Sequence, residues 1–177
     1  MNKLRVKRTI MTIFAVLITF ALQCTVIKSI SLASISPNIL IILTATIALM
    51  HGQLEGMITG FFTGLLIDIQ FGNIIGFYAL IYLLIGFLCG LFTKHYTKDN
   101  IKLPMLVFTI SEFAYGIIIC LLMFILRSEF HFVYYLIHNI IPELVYTIVA
   151  AVPIYSFILY IDQKLEISEK RSASKLD

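Results

Sequence analysis

The feature that most constrains this chain is a succession of apolar runs, each about as long as a bilayer is thick. A helix needs about 20 apolar residues to cross the hydrocarbon core. The first run, residues 9–27, contains no charge. The second, 36–50, is short unless 32–35 is added, and the third, 53–71, is interrupted only by Glu55 and Asp68. A fourth covers 74–93 and a fifth 104–126, with Glu112 inside it. The last stretch, 132–161, is too long for one upright helix. It reads as an aromatic interfacial piece (Phe132, Tyr134, Tyr135) followed by a span over 140–161, because aromatic rings favour the headgroup level. The expected fold class is therefore an all-α integral membrane protein with six transmembrane helices in one bundle. Composition agrees: 60% of the 177 residues are hydrophobic and 13% charged, more apolar side chain than a water-soluble core of this size needs. A secreted module, a disordered chain and an ordinary cytosolic enzyme are excluded on that ground.

The placement of charge sets the expected direction of threading. Lys3, Arg5, Lys7 and Arg8 precede the first span, Lys94, Lys98 and Lys102 lie between the fourth and fifth, and Lys164, Lys170, Arg171 and Lys175 follow the sixth. With six crossings these eleven fall on one side, and only Lys28 and Arg127 fall on the other. Cytoplasmic loops carry the excess of Lys and Arg, so the pattern predicts both termini in the cytoplasm. Residues 1–8 then form a basic N-terminus, 9–161 the transmembrane domain and 162–177 a polar, frayed tail. A net charge of +3 gives no reason to expect nucleic acid. A competing reading of the first span is a cleavable signal peptide ending near Ser31-Leu32-Ala33, against which its apolar run is long. Cys24, Cys89 and Cys120 lie in apolar stretches without CxxC spacing and read as small packing residues, neither a disulfide framework nor a zinc site.

The strongest local pattern is in the third span. Gly56, Gly60 and Gly64 recur every four residues, and Asp68 continues the series. Residues four apart share a helix face, so the four make a flat groove leading to one carboxylate. Gly86 and Gly90 make a shorter groove in the fourth span. In lipid, close backbone packing matters more than hydrophobic association. Such a face serves either packing within the bundle or docking of another protein's helix.

Asp68, Glu112 and Glu143 lie inside or at the edges of apolar spans, where carboxyl groups are costly and usually face the bundle interior. No Lys or Arg lies inside a span to pair with them. Each is then either neutral or a hydrogen-bond acceptor for Tyr, Thr, Asn or a capping backbone. The threading puts Asp68 and Glu143 toward the outer ends of their helices, where they could line one cavity, and Glu112 nearer the middle. Pro37-Asn38 opens the second span and Pro104 the fifth, where a missing N–H costs nothing. Pro142 and Pro153 lie in the sixth, and Pro153 predicts a kink. His51, His95, His131 and His138 lie near span ends without metal-ligand spacing. The sequence holds no GxSxG elbow, P-loop, dinucleotide fingerprint or paired-Asp motif, and it suggests neither a cofactor nor a metal.

The order of these motifs resembles the rod shape-determining protein MreD family of bacteria. The resemblance rests on a short basic N-terminus, Pro37-Asn38-Ile39-Leu40-Ile41-Ile42, Leu54-Glu55-Gly56, and Gly60-Phe61-Phe62-Thr63-Gly64-Leu65-Leu66-Ile67-Asp68 continuing into Ile75-Gly76-Phe77-Tyr78-Ala79-Leu80. Glu112-Phe113 and Pro142-Glu143 match more loosely. It implies a multi-pass plasma-membrane component of the cell-elongation machinery, without catalytic activity, that works with MreC, with the actin-like MreB filament and with the synthases of lateral peptidoglycan. It also implies a six-helix fold similar to the substrate-binding subunits of ECF-type vitamin transporters. Three functions follow as expectations: a scaffold presenting its glycine groove to MreC's membrane helix, a small-molecule-binding subunit using Asp68 and Glu143, and an intramembrane enzyme using Asp68, Glu112 or Glu143.

Overall fold

The computed structural model describes residues 3–27, 35–72, 75–98, 100–127 and 132–173, all but a few of them helical. Lys28 and the Ser31-Leu32-Ala33 segment lie outside the described residues. Helix α1 is Lys3–Leu22 and runs into a π-helical segment, Gln23–Ile27. Helices α2 (Ile39–His51), α3 (Gln53–Phe71) and α4 (Phe77–Leu91) follow, with a 3₁₀ turn, Phe92–His95, after α4. Helix α5 is Lys102–Arg127. The short α6 (Phe132–Tyr135), a π segment (Leu136–Ile140) and α7 (Ile141–Ala173) run on without a break.

Four helical stretches are long and apolar enough to cross a membrane: Gln53–Phe71, Phe77–His95, Lys102–Leu122 and Leu136–Lys164. Thr9–Thr25 and Ile39–His51 are shorter apolar helices. The large side chains left outside the bundle, such as Phe14, Leu17, Phe62, Leu80, Leu106, Val149 and Phe157, are the surface that lipid tails would cover.

The core is built around the shortest of these helices. Every residue from Ile39 to Leu49 in α2 is buried, and α2 packs against α1, α3, α4, α5 and α7. A helix apolar all round belongs inside a bundle. At 13 residues it is only about 20 Å long, so its ends fall among other helices, where stray backbone groups need protein partners. Those partners are present at both ends. At the start, the Gln23 side chain donates to the Pro37 carbonyl and accepts from Ile39 N–H, both at 3.0 Å. Asn38 caps the helix by accepting from Ile41 N–H at 3.3 Å. At the finish, Gly52 N–H (2.9 Å) and the Thr93 hydroxyl (3.0 Å) meet the Ala48 carbonyl. Gly52, with φ +98°, is both the C-cap of α2 and the N-cap of α3. Nothing crowds its missing Cβ, so the need there is for the backbone angle alone.

Two expectations change. The aromatic residues at 132–135 form a short helix of their own, α6, but no break sets it off from the span: the chain stays helical through the π segment into α7. Nor does the helix end with the apolar run: α7 continues to Ala173 through much of the stretch expected to fray. Pro142 lies in the first turn of α7, and Pro153 is inside it, where its ring removes the N–H that would serve the Val149 carbonyl.

Candidate functional site

The most extensive helix pairing in the molecule is α3 against α4, and the glycine series is what makes it close. A Cβ at Gly56 would meet the Gly86 carbonyl oxygen and Ala48. At Gly60 it would overlap the Tyr82 carbonyl, and at Gly64 the Tyr78 carbonyl and Ala79 backbone. Each step of four along α3 thus meets a residue four earlier in α4, the register of two antiparallel helices whose backbones touch. Gly86 rests on Gly56, and Gly90 on Gln53 and Gly52. The two grooves read from the sequence are the halves of one internal seam. The expectation that Gly56, Gly60 and Gly64 lie open to a partner's helix does not hold, because α4 fills that face.

Asp68 closes the seam. Its side chain is 1% exposed. Its Oδ2 accepts from Gly76 N–H (2.9 Å) and Ala79 N–H (3.0 Å), and its Oδ1 from Tyr78 N–H (2.9 Å). The first N–H groups of a helix have no partner within it, and Gly76, the N-cap of α4 at φ +100°, has no side chain to offer. Asp68 supplies the cap from the neighbouring helix, at the end where the helix dipole favours negative charge. Of the two states expected for it, acceptor for a capping backbone is the one adopted. Both its oxygens are engaged by backbone N–H groups.

A second polar cluster lies where α2, α4, α5 and α7 meet. The Tyr82 hydroxyl donates to Asn38 Oδ1 at 2.9 Å. Asn38 N–H donates to the Thr147 hydroxyl at 3.0 Å, and Thr147 lies beside Glu112. Glu112 is 2% exposed, and its Oε2 has no hydrogen-bond partner among the described residues. Glu143, half-buried in the first turn of α7, is within electrostatic reach of Glu112 and of Tyr78, Tyr82 and Tyr115. The rings of Tyr82 and Tyr115 lie edge to face at 5.7 Å, and those of Tyr78 and Tyr115 are 6.4 Å apart. Glu112 and Glu143 are thus within electrostatic reach of each other, and Tyr78 is within reach of both Glu143 and Asp68.

The opposite end of the bundle carries an ion cluster. His51 Nε2 lies 3.1 Å from Asp162 Oδ1, and Lys98 Nζ 3.2 Å from Asp162 Oδ2. Glu55 Oε2 lies 3.2 Å from His51 Nδ1. Beside it Tyr96 and Tyr155 share a hydrogen bond of 2.9 Å. Burial, and then that bond, push the Tyr96 hydroxyl well above its ordinary range, so it stays neutral. Among the described residues no three of His, Cys, Asp and Glu come together as a metal site.

Gln23, Tyr82, Thr147 and Asp162 were not singled out by sequence. The available signal was a polar group inside, or just past, an otherwise apolar run.

A family profile described as rod shape-determining protein MreD matches residues 4–164. The chain belongs to the MreD family. No curated protein and no solved structure matches it. The matched region takes in the α3–α4 seam, both carboxylate clusters and the whole apolar part of α7, so the geometry above is the geometry of the MreD-homologous region. The family is one of membrane proteins that determine rod shape.

Proposed function

We propose that the chain is a non-catalytic membrane scaffold of the bacterial cell-elongation complex. It crosses the plasma membrane six times with both termini in the cytoplasm, binds MreC through that protein's membrane helix, and links the MreB filament to lateral peptidoglycan synthesis. The observation that carries the reading is the family match over residues 4–164. The fold is compatible with it: the connections are short, and the bundle exposes apolar helix faces to its surroundings. The direction of threading rests on the eleven basic residues that fall on one side against two on the other.

Because α4 covers the glycine face, MreC's helix must be received on an outer face. Photo-crosslinkers at Phe14 and Leu17 of α1, Phe61 and Phe62 of α3, and Val149 and Phe157 of α7 sample three exposed faces. The expected result is capture of MreC from one face and not the others, with Gly60 and Gly64 positions silent. Failure of every outer face to capture MreC in cells that contain it would refute the scaffold reading. Efficient capture from position 60 or 64 would instead mean that the seam opens to the partner.

A further inference from the structure

Two carboxylates in one apolar bundle are ordinarily paired with cations or capped by backbone. Glu112 is neither. It is all but fully buried, its Oε2 has no hydrogen-bond partner among the described residues, and a second carboxylate, Glu143, is within electrostatic reach. A buried polar oxygen left unpaired costs about 1–3 kcal/mol, so Glu112 has room here for a hydrogen-bonding partner that the described residues do not supply. The surroundings are aromatic: Tyr82 and Tyr115 meet edge to face, and Tyr78 stands beside Tyr115 within reach of Glu143. Tyrosine faces and carboxylates together are the surroundings in which an ammonium group is held by cation–π attraction and charge. Glu143 and Tyr78 are half-buried, whereas Glu112 and Tyr82 are closed off, so the locus runs inward from the surface of the bundle. Tyr78 lies in the first turn of α4, at the end of the bundle where that helix starts.

We propose that Glu112, Glu143, Tyr78, Tyr82 and Tyr115 form a binding site for a primary ammonium group entering from the membrane surface. Glu112 Oε2 and Glu143 supply the acceptors and charge, and the tyrosine rings the aromatic faces. The ammonium can be presented by a phosphatidylethanolamine headgroup or by a free amine. The site does not depend on the scaffold reading, since neither MreC nor MreB enters it.

The test uses the full chain in nanodiscs of phosphatidylglycerol, alone, mixed with phosphatidylethanolamine, or supplemented with free ethanolamine, and follows thermal unfolding. Glu112→Gln and Glu143→Gln keep side-chain size, and the double variant removes both charges. The expected result is a rise in midpoint of about 5 °C with an amine source in the wild type, lost in the double variant. A response to the lipid alone assigns the headgroup as the source, and a response to ethanolamine alone the free amine. Tyr115→Phe, which keeps the ring, should keep the response. A wild type that responds to neither source, or variants that respond as the wild type does, would overturn the site. A general effect of phosphatidylethanolamine on the bilayer would act on wild type and variants alike and would count as the latter.

Discussion

Asp68 and Glu112 are both buried carboxylates in apolar helices, yet they sit in opposite circumstances. Asp68 takes three backbone N–H groups at 2.9–3.0 Å and leaves neither oxygen idle. Glu112 lies beside the Thr147 hydroxyl, has one oxygen without a partner among the described residues, and has a second carboxylate in its field. The difference lies in what the neighbouring helix offers. The α3 glycines bring the two backbones so close that a side chain from α3 reaches the first turn of α4. No such seam brings α5 against α7, and Glu112 finds only side chains. Asp68 holds the fold together, whereas Glu112 is a cost that the fold tolerates.

That contrast can be broken in order of expected effect. Gly60→Leu should be the most damaging, since a side chain there must displace the α4 backbone at Tyr82 and not merely a flexible group. Overpacking against side chains costs about 1–3 kcal/mol, so a backbone clash should exceed that, and little folded protein should be recovered from membranes by size-exclusion chromatography. Asp68→Ala leaves three N–H groups without acceptors in the bundle interior, and a loss of about 3–5 kcal/mol is expected in detergent unfolding. Asp68→Asn should lose less, because one carbonyl oxygen remains to accept. Thr147→Val removes the hydroxyl that accepts from Asn38 N–H, for about 1–2 kcal/mol on the same assay. Glu112→Gln should be smallest, within about 1 kcal/mol of wild type and of either sign. It keeps the size of a carboxyl group of which one oxygen has no hydrogen-bond partner among the described residues. If Glu112→Gln proved as harmful as Asp68→Ala, the contrast between the two carboxylates would be wrong.

The apolar runs located the helices well because spanning length and periodicity are local properties of the chain. The ends of α3 and α5 fall within a few residues of the runs that predict them. The glycine series with Asp68 was also legible as one face, since spacing of four fixes a helix face whatever lies opposite. What lay opposite was not. Gly86 and Gly90 were visible as a second groove, but only the fold sets the two antiparallel and in register. For the same reason Asp68 read as a candidate for a cavity when its partners were backbone groups eight to eleven residues further on. Thr147 bonds to a residue 109 positions away, which no local pattern encodes. The aromatic run at 132–135 carried no sign of the helical continuity that follows it. Interfacial preference describes where rings sit, and a helix can carry them to that depth without breaking. Helix α2 read as a crossing span of marginal length, and its 13 residues make sense once its ends are seen to be held by Gln23, Asn38 and Thr93 from within the bundle.

The central claim is that the glycine–aspartate face of α3 is closed on α4, with Asp68 serving as the cap of that helix. It is tested most directly by solid-state NMR on the full chain in lipid, measuring the distance from the Asp68 carboxyl carbon to the amide nitrogens of Tyr78 and Ala79. Hydrogen bonds of the observed length place those atoms about 4 Å apart, and the account predicts strong carbon–nitrogen dipolar coupling to both amides. Absence of that coupling, in protein shown to be folded by its other resonances, would contradict it.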